Sequence, residues 1–347
     1  GHSVDGRSVY LDSTFLYQLD SSILPADRAY QKIANWGITD QLDPAYDKAT
    51  GQWAVYAARD LYRGGEAIAR KGERIAGSGF DSSRLGGDMF TDPSTGLVDI
   101  QATQAYLDLV SADDAHEQGW RAYVQATRVK VTDRHENVFT EHVNGKDLTS
   151  NIVWTRTPDL TPGIKLEKWD RRSGWPKGDR DDSKDALDGA KDGTTIVFTI
   201  KNTSKDDSGH GAWFKASDLK LEDHTIVGDG TVTDLKYPEG WDSLILKPGQ
   251  SVEVTGTLTG FTKDRHTDRA KVTGTPLVEC PVVDKDPFGD ASGKPSTGGE
   301  AGDGDGPRQV TVGDRTLCED TPVESNTDDW NGRRSLLGET GSAILPV

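Results

Sequence analysis

The sequence predicts a mainly β protein: two tandem sandwich domains, the first with short helical insertions, and then a flexible acidic tail. Three observations carry this reading. Short runs of β-branched and aromatic residues recur from Val9 to Gly274. The stretch Thr155 to Gly163, stiffened by Pro158 and Pro162, divides them into two regions. From Pro287 to Pro307 the composition collapses to Gly, Asp, Ser and Pro, which cannot bury a core. At 347 residues the chain exceeds one domain of ordinary size, and the expected division is 1–158, 159–286 and 287–347.

In the first region, Val9-Tyr10-Leu11 and Thr14 to Leu19 read as strands, as do Gln52 to Ala58 and the longer run Gly119 to Val131. Ala26 to Trp36 follows Pro25 with apolar residues at helical spacing and predicts a short helix, as does Ile100 to Val110. Phe139 to Trp154 predicts a hairpin around the turn Asn144-Gly145. The second region is almost purely β, with strands at Ile164 to Trp169, Thr195 to Ile200, Ser243 to Leu246, Ser251 to Leu258 and Ala270 to Gly274. Such spacing predicts an immunoglobulin-like sandwich. Gln309 to Val312 reads as one isolated strand within the tail.

Fifty-seven acidic residues against 40 basic ones give a net charge of −17, which argues against nucleic acid and anionic membranes as partners. No run of about 18 apolar residues is present, so nothing reads as a helical membrane span. No secretory leader opens the chain, so its first residue reads as a domain boundary. Enzyme motifs are missing: there is no Gly-x-Ser-x-Gly elbow, zinc-protease helix, phosphate loop or Cys-x-x-Cys pair. The expectation is a non-enzyme.

Three groups of residues resemble known surface-protein modules. Ser13 to Asp20, Leu24 to Arg28 and Gly37 to Asp40 open a pattern that Val143 to Lys146, Ser150 to Val153 and Thr155 to Pro158 close. Together they resemble the C-terminal adhesin domains of the streptococcal antigen I/II family, over residues 8–158. Ile196 to Thr203, Leu246 to Ser251 and Lys271 to Gly274 resemble the sandwich repeats of Gram-positive surface proteins. Leu337-Gly338-Glu339-Thr340-Gly341 is similar to a sortase signal of the LPxTG type, with Gly338 in place of the usual Pro. That resemblance implies cleavage after Thr340 and transfer to peptidoglycan, hence an extracellular, wall-anchored and monomeric chain. A host protein or glycan would meet a binding head upstream or the first domain itself; a rival binding-module reading places the ligand on exposed aromatics such as Trp213, Trp241 and Trp53.

The first resemblance also implies an intramolecular isopeptide bond. A lysine amine must be neutral to attack a carboxamide, and a buried carboxyl can hold the proton in transit. Asn151 would be the acyl partner and Asp40 the assisting acid, while no lysine lies between Gly1 and Leu19 to complete the set. In the second domain Lys168 (or Lys165) with Asp268, in the run His266-Thr267-Asp268, is a candidate second cross-link with Asp218 assisting. Plain surface charges are the competing reading.

Asp179, Asp181, Asp182, Asp185 and Asp188 form an oxygen-rich loop that could hold Ca²⁺, with Asp179, Asp181 and Asp185 as ligands. Its spacing is not that of an EF-hand, and a solvated loop is the alternative. No other cofactor is implied. Cys280 and Cys318, the two cysteines, would join outside the cell and restrain the tail.

Overall fold

The computed structural model describes residues 3–28, 32–93, 97–289 and 307–335. They fall into two compact, mainly β units: 3–158 with 281–289, and 159–280 with 307–335.

Unit 1 is a sandwich of two antiparallel four-stranded sheets. One has the order β1 (Thr14–Asp20), β8 (Trp120–Arg128), β3 (Asp47–Ala57), β6 (Arg74–Gly77). The other has the order β11 (Lys146–Thr149), β10 (Thr140–Val143), β2 (Trp36–Gln41), β7 (Leu97–Gln101). The pair β9 (Thr132–Asn137) and β12 (Val153–Thr157) adds to it, as does the hairpin β4 (Leu61–Arg63) to β5 (Glu66–Ala69). On β8, Trp120, Ala122, Val124 and Ala126 point inward at the two-residue period of a strand. Trp36 and Phe90 pack on Trp120, and Tyr106 packs on Trp36. The hairpin β10–β11 turns at Asn144-Gly145, both at positive φ as a tight primed turn requires.

Two expected elements differ. The helix predicted over 26–36 is not formed at the described residues 32–36; Trp36 instead opens β2, whose Trp36, Ile38 and Asp40 face the core at period two. The helix predicted over 100–110 begins only at Gln104, as α1 (Gln104–Ala112), where the Thr103 hydroxyl caps it by accepting from the Tyr106 amide. The residues before it belong to β7.

Unit 2 is a second sandwich. One sheet has the order β13 (Ile164–Asp170), β15 (Thr195–Asn202), β20 (Ser251–Thr259), β18 (Thr231–Lys236). The facing sheet has the order β14 (Leu187–Asp188), β26 (Asp328–Arg333), β21 (Arg265–Gly274), β17 (Lys220–Gly228), with β25 (Val323–Glu324) also on β21. Small ladders pair β16 (Phe214–Lys215) with β19 (Ile245–Leu246), and β22 (Leu277–Val278) with β24 (Arg315–Glu319) and β23 (Gln309–Val312). Leu166, Phe198, Val254, Leu258, Val272 and Trp330 fill the core.

The expected flexible tail over 287–347 is therefore corrected. Residues 309–333 supply β23, β24, β25 and β26, and Trp330 is wholly buried. Phe288 packs on Ala54 and Tyr56 of unit 1. The run Asp328 to Arg334 shows a single large apolar residue, so sequence patterning could not reveal that it sits at the centre of a sheet. The sortase-like signal 337–341 lies outside the described residues.

Candidate functional site

On β13 the inward positions are Ile164, Leu166 and then Lys168, which keeps the phase and so enters the core. Its register partner on β15 is Phe198, whose ring centroid lies 5.3 Å from Nζ. On the facing sheet, Val272 and Ala270 extend the same alternation back to Asp268 and His266. Lys168 thus crosses the sandwich: Nζ lies 2.5 Å from Asp268 Oδ1 and 2.6 Å from Asp223 Oδ1, an oxygen that accepts its hydrogen bond. The contact to Asp268 is close without hydrogen-bond directionality.

Lys168 has 0 % exposure, and Asp268 and His266 have 1 % each. Taking these charges out of water costs several kcal/mol per ion, which only close opposite charges offset. His266 Nδ1 lies 2.6 Å from the Asp229 carbonyl oxygen and Nε2 3.0 Å from Asp268 Oδ2. Burial pushes the Asp223 carboxyl above its usual range and Asp268 adds to the rise, while Lys168 works against it. For Asp268 burial also pushes upward, but Lys168 and His266 outweigh it and hold the carboxyl below the usual range. Burial would lower His266, yet the close Asp268 carboxylate leaves it raised.

The group differs in part from the expected one. Asp218 is exposed in a short 3₁₀ turn, and the second carboxylate at Lys168 is Asp223. Lys165 points outward and pairs with Glu167. Asp223 shares the inward phase of Leu221 on β17, which is the sequence signal that could have found it. His266 is interior because it shares the phase of Ala270.

In unit 1 Asp40 is buried on β2, and its Oδ2 accepts from Asn137 Nδ2 at 2.7 Å. The amide beside Asp40 is thus Asn137; Asn151 is exposed, between β11 and β12. Burial and the nearby Asp47 push the Asp40 carboxyl up to about 6 against the opposing Asn137 bond. Lys32, Lys48, Lys71, Lys130 and Lys146 are all exposed. Two arginines of unit 1 are buried, Arg74 on β6 and Arg128, which continues the inward phase of β8. Arg128 donates to Asp47 (2.6 Å), Thr157 (2.8 Å) and Thr155 (2.7 Å), while Tyr17 and His135 meet Asp47 from β1 and β9. A guanidinium does not act as an acyl-transfer nucleophile, so this cluster is a non-covalent clamp.

Of the expected calcium ligands, Asp179 and Asp181 come together with Asp328, each offering an oxygen within 4.8 Å of the others. Such oxygens could hold a hard cation. Asp185 is not in this group, and its carbonyl accepts from Arg180. Burial and Asp181 push Asp328 up to about 8, and burial with Asp181 pushes Asp179 up to about 6. Cys280 and Cys318 form a disulfide across 38 residues of sequence.

Unit 1 carries an open cleft of about 1660 Å³ between β1 and the β11–β12 side, lined by Phe15, Tyr17, Phe139, Glu141, Asn151 and Trp154 among others. Trp53, expected as an exposed contact, is buried in the core instead, while Trp213 is covered by Lys247 and Arg315.

Comparison with known proteins addresses the first unit. The family model described as cell surface antigen C-terminus matches residues 1–158. Those residues are similar to that family, over just under half of the chain. Aggregation substance of Enterococcus faecalis is 31% identical over 161 residues, 45% of this chain and 11% of the relative. The chain therefore spans about a tenth of the length of that curated relative. The C-terminal domain of the Streptococcus pyogenes antigen I/II-family protein AspA is similar at 23% identity and a TM-score of 0.37, over 45% of this chain and 43% of that one. The Streptococcus agalactiae antigen I/II polypeptide BspA C-terminal domain gives 18% and 0.36, over 45% and 46%.

Proposed function

We propose that this chain is a stalk segment of a wall-anchored Gram-positive adhesin, stiffened in unit 2 by an isopeptide bond between Lys168 and Asp268. The observation that carries the reading is the Lys168 amine, wholly buried within 2.5 Å of one Asp268 oxygen and hydrogen-bonded to Asp223. Asp223 accepts a proton from the Lys168 ammonium, the nitrogen attacks the Asp268 carboxyl carbon, and one Asp268 oxygen leaves as water with a second nitrogen proton and one supplied by a neighbouring acid. The fold supplies the effective concentration, so one turnover suffices. The bond would join the two sheets directly and replace two buried charges by a neutral amide. The sortase-like signal 337–341 would attach the chain to peptidoglycan, with the ligand met by a head outside this sequence.

Intact mass of the purified chain tests the bond. The expected mass is lower by one water than the disulfide-bonded sequence mass, with a tryptic peptide pair joining Lys168 to Asp268. A full mass would remove the cross-link. Sortase with an amine donor tests the anchor, and failure to cleave after Thr340 would remove it.

A second reading rests on the cleft of unit 1, whose aromatic and polar lining suits a host protein or glycan. Binding of isolated glycans or matrix proteins to the chain, lost on Trp154→Ala, would favour it over a plain spacer.

A further inference from the structure

This inference deepens the cross-link reading and rests on it. The two oxygens of Asp268 lie in different surroundings. Oδ1 faces the Lys168 amine at 2.5 Å, whereas Oδ2 faces His266 Nε2 at 3.0 Å. The other imidazole nitrogen, Nδ1, lies 2.6 Å from the Asp229 carbonyl, which can only accept, so Nδ1 carries a hydrogen. Nε2 is then bare in the neutral ring and a donor in the charged one. This contact, like that of Oδ1 to Lys168, is close without hydrogen-bond directionality, and because a bare nitrogen and a carboxylate oxygen would repel at this separation the site suits the charged ring. Phe261 and Trp330 flank the imidazole, with ring centroids 5.7 and 6.1 Å away, and help keep bulk water from it.

We propose that His266 is a catalytic proton donor in bond formation and selects Oδ2 as the leaving oxygen. The Lys168 ammonium first gives one proton to Asp223. The amine then attacks Cγ of Asp268 as the His266 proton passes to Oδ2. A second amine proton follows to Oδ2, the C–O bond breaks, and water departs. An amide keeps Oδ1 as its carbonyl, with neutral His266 and protonated Asp223 left behind. Atoms and charge balance without any oxidant or co-reactant. The charged and titratable groups facing His266 are Lys168 from β13, Asp223 from β17 and Asp268 from its own strand; Asp229 meets it through its carbonyl, its carboxylate being held by Thr262 and Lys263.

The full chain is recovered unfolded and uncross-linked from inclusion bodies and refolded with a thiol–disulfide buffer. Cross-linking is then followed by intact mass in wild type and His266→Gln, with circular dichroism to report folding. Gln keeps an amide near Oδ2 but transfers no proton, so the expected rate falls by roughly a hundredfold. The wild-type rate is expected to decline as pH rises through the imidazole titration, and the variant to lose that decline. A folded His266→Gln chain that cross-links at the wild-type rate with the same pH profile overturns the proposal. Should the variant not fold, the wild-type profile decides: a rate that is flat between about pH 5 and 9 overturns it. A wild-type chain that folds and never loses water overturns the cross-link reading itself.

Discussion

Arg128 and Asp47 meet at 2.6 Å in the interior of unit 1, and neither side chain reaches solvent. The guanidinium also donates to Thr155 and Thr157, so strand β8 is tied to β12 as well as to β3. Arg128→Ala strips Asp47 of its guanidinium partner at a position closed to solvent, and should destabilise unit 1 by about 3–5 kcal/mol. Arg128→Lys keeps the charge but loses the planar fork, so about half that loss is expected. Denaturant melts followed by tryptophan fluorescence check both. A loss below about 1 kcal/mol for the alanine variant would mean the pair is not the clamp.

The same rule of alternation explains what could be read in advance. Ile164, Leu166 and Lys168 share one phase, as do Val272, Ala270, Asp268 and His266, and as do Trp120, Ala122, Val124, Ala126 and Arg128. A charged residue that continues an apolar phase is legible as interior, and the sequence already pairs Lys168 with Asp268 as neighbours. Asp223 obeyed that rule too and was passed over for Asp218, which lies in a turn where alternation says nothing. The resemblance of closing motifs points to Asn151 and not to Asn137, because such motifs place strands, not side chains. The contribution of β26 was illegible for another reason: its pairing with β21 spans about 60 residues and a polar sequence, so no local pattern records it.

Asp40 should make unit 1 less stable as pH rises. Its carboxyl titrates at about 6 in the folded protein against an ordinary value of 3.8, so the folded state keeps a proton that the unfolded chain has released. Stability from this group is therefore whole below about pH 4, declines through about pH 6, and is level above. Asp40→Asn removes the burial cost while preserving an acceptor for Asn137. The variant should match wild type near pH 4 and exceed it by about 1–3 kcal/mol at pH 7.5. An equal gain at both pH values would assign the effect to something other than ionisation.

Asp328 makes the corresponding prediction for unit 2, over a wider window. Burial and Asp181 push it up to about 8, so its cost grows from about pH 4 to about pH 8. Asp328→Asn can still accept from the Lys168 backbone amide, as Asp328 does, and can donate toward Asp181. Its melting temperature should approach wild type at low pH and exceed it at pH 8.5, by an amount equivalent to about 2 kcal/mol. Adding millimolar Ca²⁺ should narrow the difference at pH 8.5 by stabilising the wild type alone, since the asparagine removes one of three anionic oxygens. Calcium that shifts both chains equally would show that this carboxylate group does not hold the ion.

The disulfide Cys280–Cys318 should matter most where the core is thinnest. The small sheet β22–β24–β23 buries Leu277, Leu317 and Cys318 but little else, and its link to β22 is only two residues long. Joining positions 38 residues apart removes loop entropy from the unfolded chain worth about 4 kcal/mol in the chain-entropy account. A Cys280→Ser and Cys318→Ser double variant should therefore lose up to that amount, with the loss unevenly placed. Amide exchange in Arg315–Glu319 should accelerate toward unprotected rates, whereas the central strands β13, β15 and β20 should keep their protection because their ladders and the Lys168 group do not pass through the bridge. Uniform acceleration across unit 2 would instead show that the sheet and the sandwich open as one cooperative body.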